Sequence, residues 1–174
     1  MSEAEKRLHR CCFTGHRPNK LHVSEESIIR GLRTAIEKAI ADGYRTFITG
    51  MCWGVDLWAA EQVLLCRREM RDIHLIGAVP HPDFEKRWSP DWQRRFRDVN
   101  EQADIVYTLY TKYSIENYQN RNQWMVDHSM RLICAYNGDP GGTRNTIQYA
   151  LGQGIEIVYI DMSPYVQKKV LHDK

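Results

Sequence analysis

Apolar residues recur along this chain with two different periods. Residues 10–14, 44–49, 73–79, 104–109, 131–136 and 155–160 form short apolar runs of strand length. Between them lie longer stretches in which apolar residues return every three or four positions. The clearest is 24–43. There Ser24 is placed to cap a helix, and Glu25 and Glu26 fill its first turn. Ile28, Ile29, Leu32, Ala35, Ile36, Ala39 and Ile40 supply one apolar face, and Gly43 stops it. Helices are also predicted over 55–71, 90–102, 120–129 and 143–151, with 110–119 left as a polar, tyrosine-rich loop. Trp88, Trp92, Phe96 and Val99 read as the core-facing stripe of the third of these helical segments, with Arg94, Arg95 and Arg97 on a solvated back. After Ser163-Pro164 the chain is polar, and a loosely held tail is expected.

Strands alternating with helices predict an α/β protein. The expected form is a Rossmann-like, doubly wound, mostly parallel sheet with helices on both faces. The length of 174 residues suits a single domain over 1–174, with its core over about 10–161. Ligands of such sheets bind beyond the carboxyl ends of the strands, where the strand order reverses. That rule selects the loops 14–18, 50–56, 80–88, 110–121 and 137–143 as the chemically interesting ones.

Composition narrows the class. Net charge is +2, so bulk charge demands neither nucleic acid nor an anionic membrane. No apolar run approaches the length of a membrane span, and residues 1–10 are charged, without the apolar segment of a secretory signal. Five cysteines, an odd number with Cys11 and Cys12 adjacent, argue for reduced thiols and a cytoplasmic location. There is no CxxC and no His/Cys spacing of a zinc site, so no metal is expected.

Three turns carry the chemistry. The first is Phe13-Thr14-Gly15-His16-Arg17-Pro18, where Gly15 permits a sharp turn and Arg17 is able to grip phosphate or carboxylate in bidentate fashion. A strand-ending turn with a solvated Arg is the plainer alternative. His16 reads as a hydrogen-bonding residue rather than a base or metal ligand. The second is Thr49-Gly50-Met51-Cys52-Trp53-Gly54-Val55-Asp56, a strand, a glycine turn and a helix start. Backbone N–H groups there can close on a phosphate, aided by the helix dipole. Asp56 is placed either to cap the helix or to hold a ribose hydroxyl, and Trp53 either to stack on a base or to join the core. The spacing is neither GxGxxG nor a P-loop, which disfavours dehydrogenase and NTPase assignments. The third turn, Gly138-Asp139-Pro140-Gly141-Gly142-Thr143, offers a second cradle in which Thr143 caps a helix or donates to phosphate. Arg121 and Asn122 open a helix close to the reversal point and are suited either to phosphate or ribose, or to a cap and a surface ion pair.

Together these motifs resemble the YpsA-like family of the SLOG superfamily. The resemblance is carried by Phe13 to Pro18, Thr49-Gly50-Met51, Gly54-Val55-Asp56-Leu57-Trp58-Ala59-Ala60-Glu61, Arg121-Asn122, Met125-Val126-Asp127 and Gly141-Gly142-Thr143. It implies a Rossmann-like fold related to the DNA-processing protein DprA and to the LOG phosphoribohydrolases. It also implies a pocket for a nucleotide-derived ligand, with ADP-ribose-like molecules as candidates. LOG hydrolases carry a PGGxGTxxE motif whose Glu serves catalysis. Here Thr146 or Gln148 stands in that place, and neither replaces a carboxylate.

The leading expectation is therefore a cytoplasmic sensor or regulator that binds a nucleotide-derived ligand, with no further cofactor. Gly15, Arg17, Gly50, Gly54, Gly141, Gly142 and Thr143 would hold phosphates, with Thr14 beside them. Asp56, Arg121 and Asn122 would hold ribose or the remaining phosphate charge. The alternative is hydrolysis of the N-glycosidic bond of a nucleoside phosphate, with Asp56 or Glu61 as an unusual catalytic carboxylate. Single-stranded DNA binding ranks third because the charge is near neutral. Exposed aromatics around 107–118 would suit a homo-oligomer or a protein partner.

Overall fold

The computed structural model describes residues 1–164. The tail expected beyond Pro164 lies outside the described residues. In chain order the elements are α1 (Glu3–Arg7), β1 (Arg10–Gly15), α2 (Pro18–Leu21), α3 (Glu25–Ala41), β2 (Thr46–Thr49), α4 (Val55–Glu69) and β3 (His74–Val79). They continue with α5 (Pro90–Gln102), β4 (Ile105–Thr108), α6 (Glu116–Asp127), β5 (Arg131–Ala135), α7 (Gly142–Gly152) and β6 (Glu156–Tyr159). The six strands form one sheet in the order β4-β3-β2-β1-β5-β6, and every pairing is parallel. The expected doubly wound architecture is present, and the sheet is wholly rather than mostly parallel.

Alternation along the strands builds two cores. Cys11, Phe13, Phe47, Leu75 and Ile133 face one side, where they pack against Ile28, Leu32 and Ile36 of α3, Trp58 and Val63 of α4, and Phe96 and Val99 of α5. Cys12, Ile48, Ile76, Leu132 and Cys134 face the other, against Met125 and Val126 of α6 and Ile147 and Ala150 of α7. All five cysteines are free and buried. Burial pushes the Cys12 thiol up to about 12, as suits an inert core residue. Among the described residues, no helix is long and apolar enough to cross a membrane.

The ends of α3 show how local sequence fixes an element. Ser24 Oγ accepts from Ser27 N–H at 3.2 Å. At the other end Gly43 adopts φ +98, so that its N–H reaches Ile40 O at 3.1 Å and the Tyr44 N–H reaches Ala39 O at 3.0 Å. Three elements differ from expectation. The short helices α1 and α2 were not foreseen, and α6 starts at Glu116 rather than at 120. The early turns of α6 bury Asn117 and Arg121 at helical spacing. A pattern written in polar residues is invisible to hydrophobic periodicity.

The order of strands reverses between β1 and β5, so a crevice opens beyond their carboxyl ends. Its floor is set by the approach of α4 to the end of β1. A β-carbon at Gly15 would lie 2.6 Å from both methyl carbons of Val55, far inside van der Waals contact. Gly15→Ala is therefore expected to cost about 1–3 kcal/mol of stability by overpacking. In a Val55→Ala background the same change should cost less than half as much. A double-mutant cycle by denaturant unfolding checks this, and strict additivity would contradict the contact.

Candidate functional site

The crevice holds a cleft of about 280 Å3. Its walls come from four places in the sequence. The end of β1 and α2 supply Thr14, Gly15, His16, Arg17 and Lys20, and the turn into α4 supplies Cys52, Trp53, Val55 and Asp56. Helix α6 supplies Tyr118, Arg121 and Asn122, and the start of α7 supplies Gly141, Gly142 and Thr143. The structure thus brings together nine of the residues picked out in the sequence: Thr14, Gly15, Arg17, Asp56, Arg121, Asn122, Gly141, Gly142 and Thr143. Gly50 and Gly54 stand just behind the wall. A β-carbon at Gly50 would lie 2.5 Å from Asp56 Oδ2 and 2.7 Å from an Arg121 guanidinium nitrogen. Gly54 turns the chain into α4 at φ +94, closely backed by the Pro18 ring.

Two helices begin at this cleft. The first residue outside α4 is Gly54 and the first outside α7 is Gly141, and neither helix end receives a side-chain cap. The N–H groups of their first turns therefore have no side-chain acceptor, although in α4 the Leu57 N–H reaches Cys52 O at 3.2 Å, and both dipoles add positive potential at one place. In α4 that potential is partly balanced by Asp56. In α7 the first turn holds no acid and contains Arg144 instead. Formal charge on the cleft wall follows the same sign, with Arg17, Lys20 and Arg121 against Asp56 alone.

The individual side chains divide into spent and available groups. Arg17 lies with Nη1 2.6 Å from Cys52 Sγ and 3.3 Å from Trp53 O, and its guanidinium covers the Trp53 ring at 4.7 Å. Trp53 in turn leans on Trp92, with ring centroids 6.0 Å apart. Arg121 is almost fully buried. Its Nη1 donates to Gly50 O and to Ala78 O (3.2 Å for the latter), and its Nε donates to Asn122 Oδ1 at 2.8 Å. The side chain expected to hold a ligand thus first holds the ends of β2 and β3, leaving Nη2 without a protein partner among the described residues. Lys20 makes no hydrogen bond or ion pair through its ammonium among the described residues.

Asp56 accepts from the Cys52 N–H at 3.3 Å, and its own carbonyl accepts from Thr49 Oγ1 at 2.9 Å. Desolvation pushes its carboxyl above the ordinary aspartate range, with Arg121, the Cys52 N–H and Arg17 pulling the other way. His16 is 5% exposed and stacks on Tyr136 at 5.2 Å. Its buried Nε2 has no hydrogen-bond partner among the described residues, and burial lowers its pKa, with Asp139 opposing.

Other expectations fall outside the cleft. Glu61 sits further along α4, 3.6 Å from Arg95, and is absent from the wall. As a catalytic carboxylate it is misplaced, because one turn and more of helix points it toward α5 instead. Thr146 is buried and donates to Gly142 O at 2.9 Å, and Gln148 is exposed, so α7 brings no carboxylate to the cleft. Lys20 and Tyr118 were missed. Pro18 at the first position of α2 was the available signal for Lys20. Tyr118, Arg121 and Asn122 share one helical face by their spacing of three and four, once α6 is started early enough. A larger hollow of about 530 Å3 lies at the opposite, amino end of the strands. Among its lining residues Arg45 pairs with Asp72 at 3.0 Å, and Nδ1 of His74 lies 3.3 Å from Asp104 Oδ1.

Comparison with known proteins places this geometry. The chain is 33% identical over 134 residues to the uncharacterised SPbeta prophage-derived protein YoqJ of Bacillus subtilis, covering 68% of this chain and 77% of that protein. It is 29% identical over 150 residues to a UPF0398 protein of Bacillus thuringiensis, covering 81% of this chain and 82% of the relative. In fold it is similar to DNA processing protein A (DprA) of Streptococcus pneumoniae, with a TM-score of 0.58 at 16% identity. That match covers 95% of this chain and 52% of the other, so the chain spans about half of that protein. The DNA processing protein A of Helicobacter pylori, described with a single-stranded DNA binding mode, gives a TM-score of 0.61 at 15% identity over 95% of this chain and 69% of that one. The YpsA model, described as the YspA SLOG family, matches residues 11–163, from β1 to beyond β6 and across every residue of the cleft, and the chain belongs to that family.

Proposed function

We propose that the cleft binds a phosphorylated, nucleotide-derived ligand, with ADP-ribose-like molecules as candidates, and that the protein acts as a sensor or regulator through it. The observation that carries this reading is the meeting of two uncapped helix N-termini at one cleft, with α7 bringing no acid of its own. Arg17 and Lys20 on the cleft wall support it. Phosphate would sit against Gly142 and Thr143 at the start of α7, and Asp56 would accept from ribose hydroxyls.

A second reading rests on one further observation, the desolvated carboxyl of Asp56 on the cleft wall. A carboxyl held above its ordinary pKa is suited to acid–base chemistry. Hydrolysis of an N-glycosidic bond would add water across it, releasing the free base and a ribose phosphate.

Two measurements test these readings. A β-carbon at Gly142 meets no atom within 4 Å, so Gly142→Asp is accommodated without a clash. Its carboxylate complements the α7 dipole, and the unliganded variant should gain about 0.3–1 kcal/mol. Thermal shift with AMP, ADP, ADP-ribose, NAD and cyclic dinucleotides should find a ligand that adds about 2.7 kcal/mol to the wild type at 100 Kd. That shift should vanish in Gly142→Asp. A wild-type response to one compound that persists in this variant would remove α7 from the site.

For Asp56 the sign follows from its raised pKa. Between 3.8 and the raised value the folded protein keeps a proton that the unfolded chain has lost. Stability therefore falls as pH rises through that window and stays lower above it. The stability of Asp56→Asn should depend less on pH across that window than that of the wild type. If the protein is a hydrolase, the same change should cut release of free base from AMP or NAD by about 10²–10⁴-fold. Unchanged turnover would dismiss Asp56 as the acid–base group.

A further inference from the structure

Tyr118 is the one aromatic hydroxyl on the cleft wall, and its environment fixes which way it hydrogen-bonds. The phenol oxygen lies 3.2 Å from Nε2 of His81, while Nδ1 of His81 lies 2.9 Å from the carbonyl oxygen of Pro82. A carbonyl only accepts, so the proton of His81 is on Nδ1. The remaining nitrogen is then a bare acceptor, and the Tyr118 hydroxyl must donate to it. His81 is 7% exposed and enclosed edge-on by Phe84, Tyr113 and Tyr118, at centroid distances of 6.0, 5.2 and 5.7 Å. With both nitrogens engaged, His81 has nothing left to offer a ligand directly. Burial also raises the Tyr118 pKa, which keeps it a phenol at neutral pH.

The consequence is chemical. Having given its proton to His81, the hydroxyl of Tyr118, a residue of the cleft wall, is left only to accept from a ligand there. Asp56 is the other acceptor there, while Arg17, Lys20 and the start of α7 are donors. A ligand that satisfies all of them carries both an anionic group and hydroxyl donors. We propose that Tyr118 accepts a hydrogen bond from a ribose hydroxyl of the ligand, and that His81 is the positioning residue that sets its polarity. This rests on the nucleotide reading above and adds to it a selectivity for ribose over sugars that lack the hydroxyls.

The test compares AMP with 2′,3′-dideoxyadenosine 5′-monophosphate by calorimetry, beside ¹⁵N spectra of the histidines at about pH 8. The wild type should bind AMP about tenfold more tightly than the dideoxy probe, the worth of one hydrogen bond in a desolvated site. Tyr118→Phe should bring the two affinities together, chiefly by weakening that for AMP. His81→Phe should lose the preference although Tyr118 is present, and His81→Gln, whose side-chain carbonyl accepts from a phenol, should restore it. The spectra should show His81 protonated on Nδ1 alone. Equal affinities in the wild type, a preference that survives in Tyr118→Phe, or a proton on Nε2 of His81 would each overturn the inference. Failure of AMP to bind would overturn it too. The nucleotide reading itself fails only when every compound of the wider thermal-shift panel is silent, so the two failures are told apart.

Discussion

The buried guanidinium of Arg121 is the contact on which the geometry of the cleft depends. It reaches from α6 across the carboxyl ends of two neighbouring strand segments and binds the carbonyls of Gly50 and Ala78. Burying a charged group is costly unless its hydrogen bonds are met and an opposite charge is near. Here two carbonyls and Asn122 meet those of Nη1 and Nε, and Asp56 supplies the opposite charge. The approach leaves no room for a side chain at residue 50, where a β-carbon would press on both Arg121 and Asp56. Glycine at 50, aspartate at 56 and arginine at 121 are therefore one structural unit, although more than sixty positions separate the last from the others.

From that unit the character of the cleft follows. One wall is a set of donors: the start of α7, the start of α4, Arg17 and Lys20. Among them are two acceptors, Asp56 and Tyr118, the first raised in pKa by desolvation and the second with its proton committed to His81. Such a set suits a molecule with both an anionic group and hydroxyl donors. It also explains why the overall charge of the chain, +2, is a poor guide to the site. The relevant potential comes from helix termini and a few oriented side chains, and a sum over surface residues does not see it.

The sequence made the strands, the long helices, the parallel sheet and the loops at its carboxyl edge legible, because each is written in apolar periodicity and glycine punctuation. Ser24 and Gly43 bound α3 as their chemistry requires. What escaped was written in polar residues. The first turns of α6 bury Asn117 and Arg121, so the helix starts before any apolar stripe announces it, and Tyr118 was left in a loop. Lys20 rides on a single turn of helix too short to show a period. The role of Arg121 was legible only as a placement near the reversal of strand order. That its Nη1 is spent on two backbone carbonyls is a tertiary fact. Glu61 shows the opposite error, a carboxylate close in sequence to the glycine turn that the helix carries toward Arg95.

The central claim is that the starts of α4 and α7 act together on one anion. The most direct measurement is an ¹⁵N amide titration of the intact protein with AMP at low ionic strength. The account predicts that the backbone amides of Val55 and Asp56 and those of Gly142 and Thr143 shift together, saturate with a single Kd, and move more than any exposed arginine-rich surface. Shifts confined to the arginines of α4 and α5, or two helix starts that titrate independently, would contradict it.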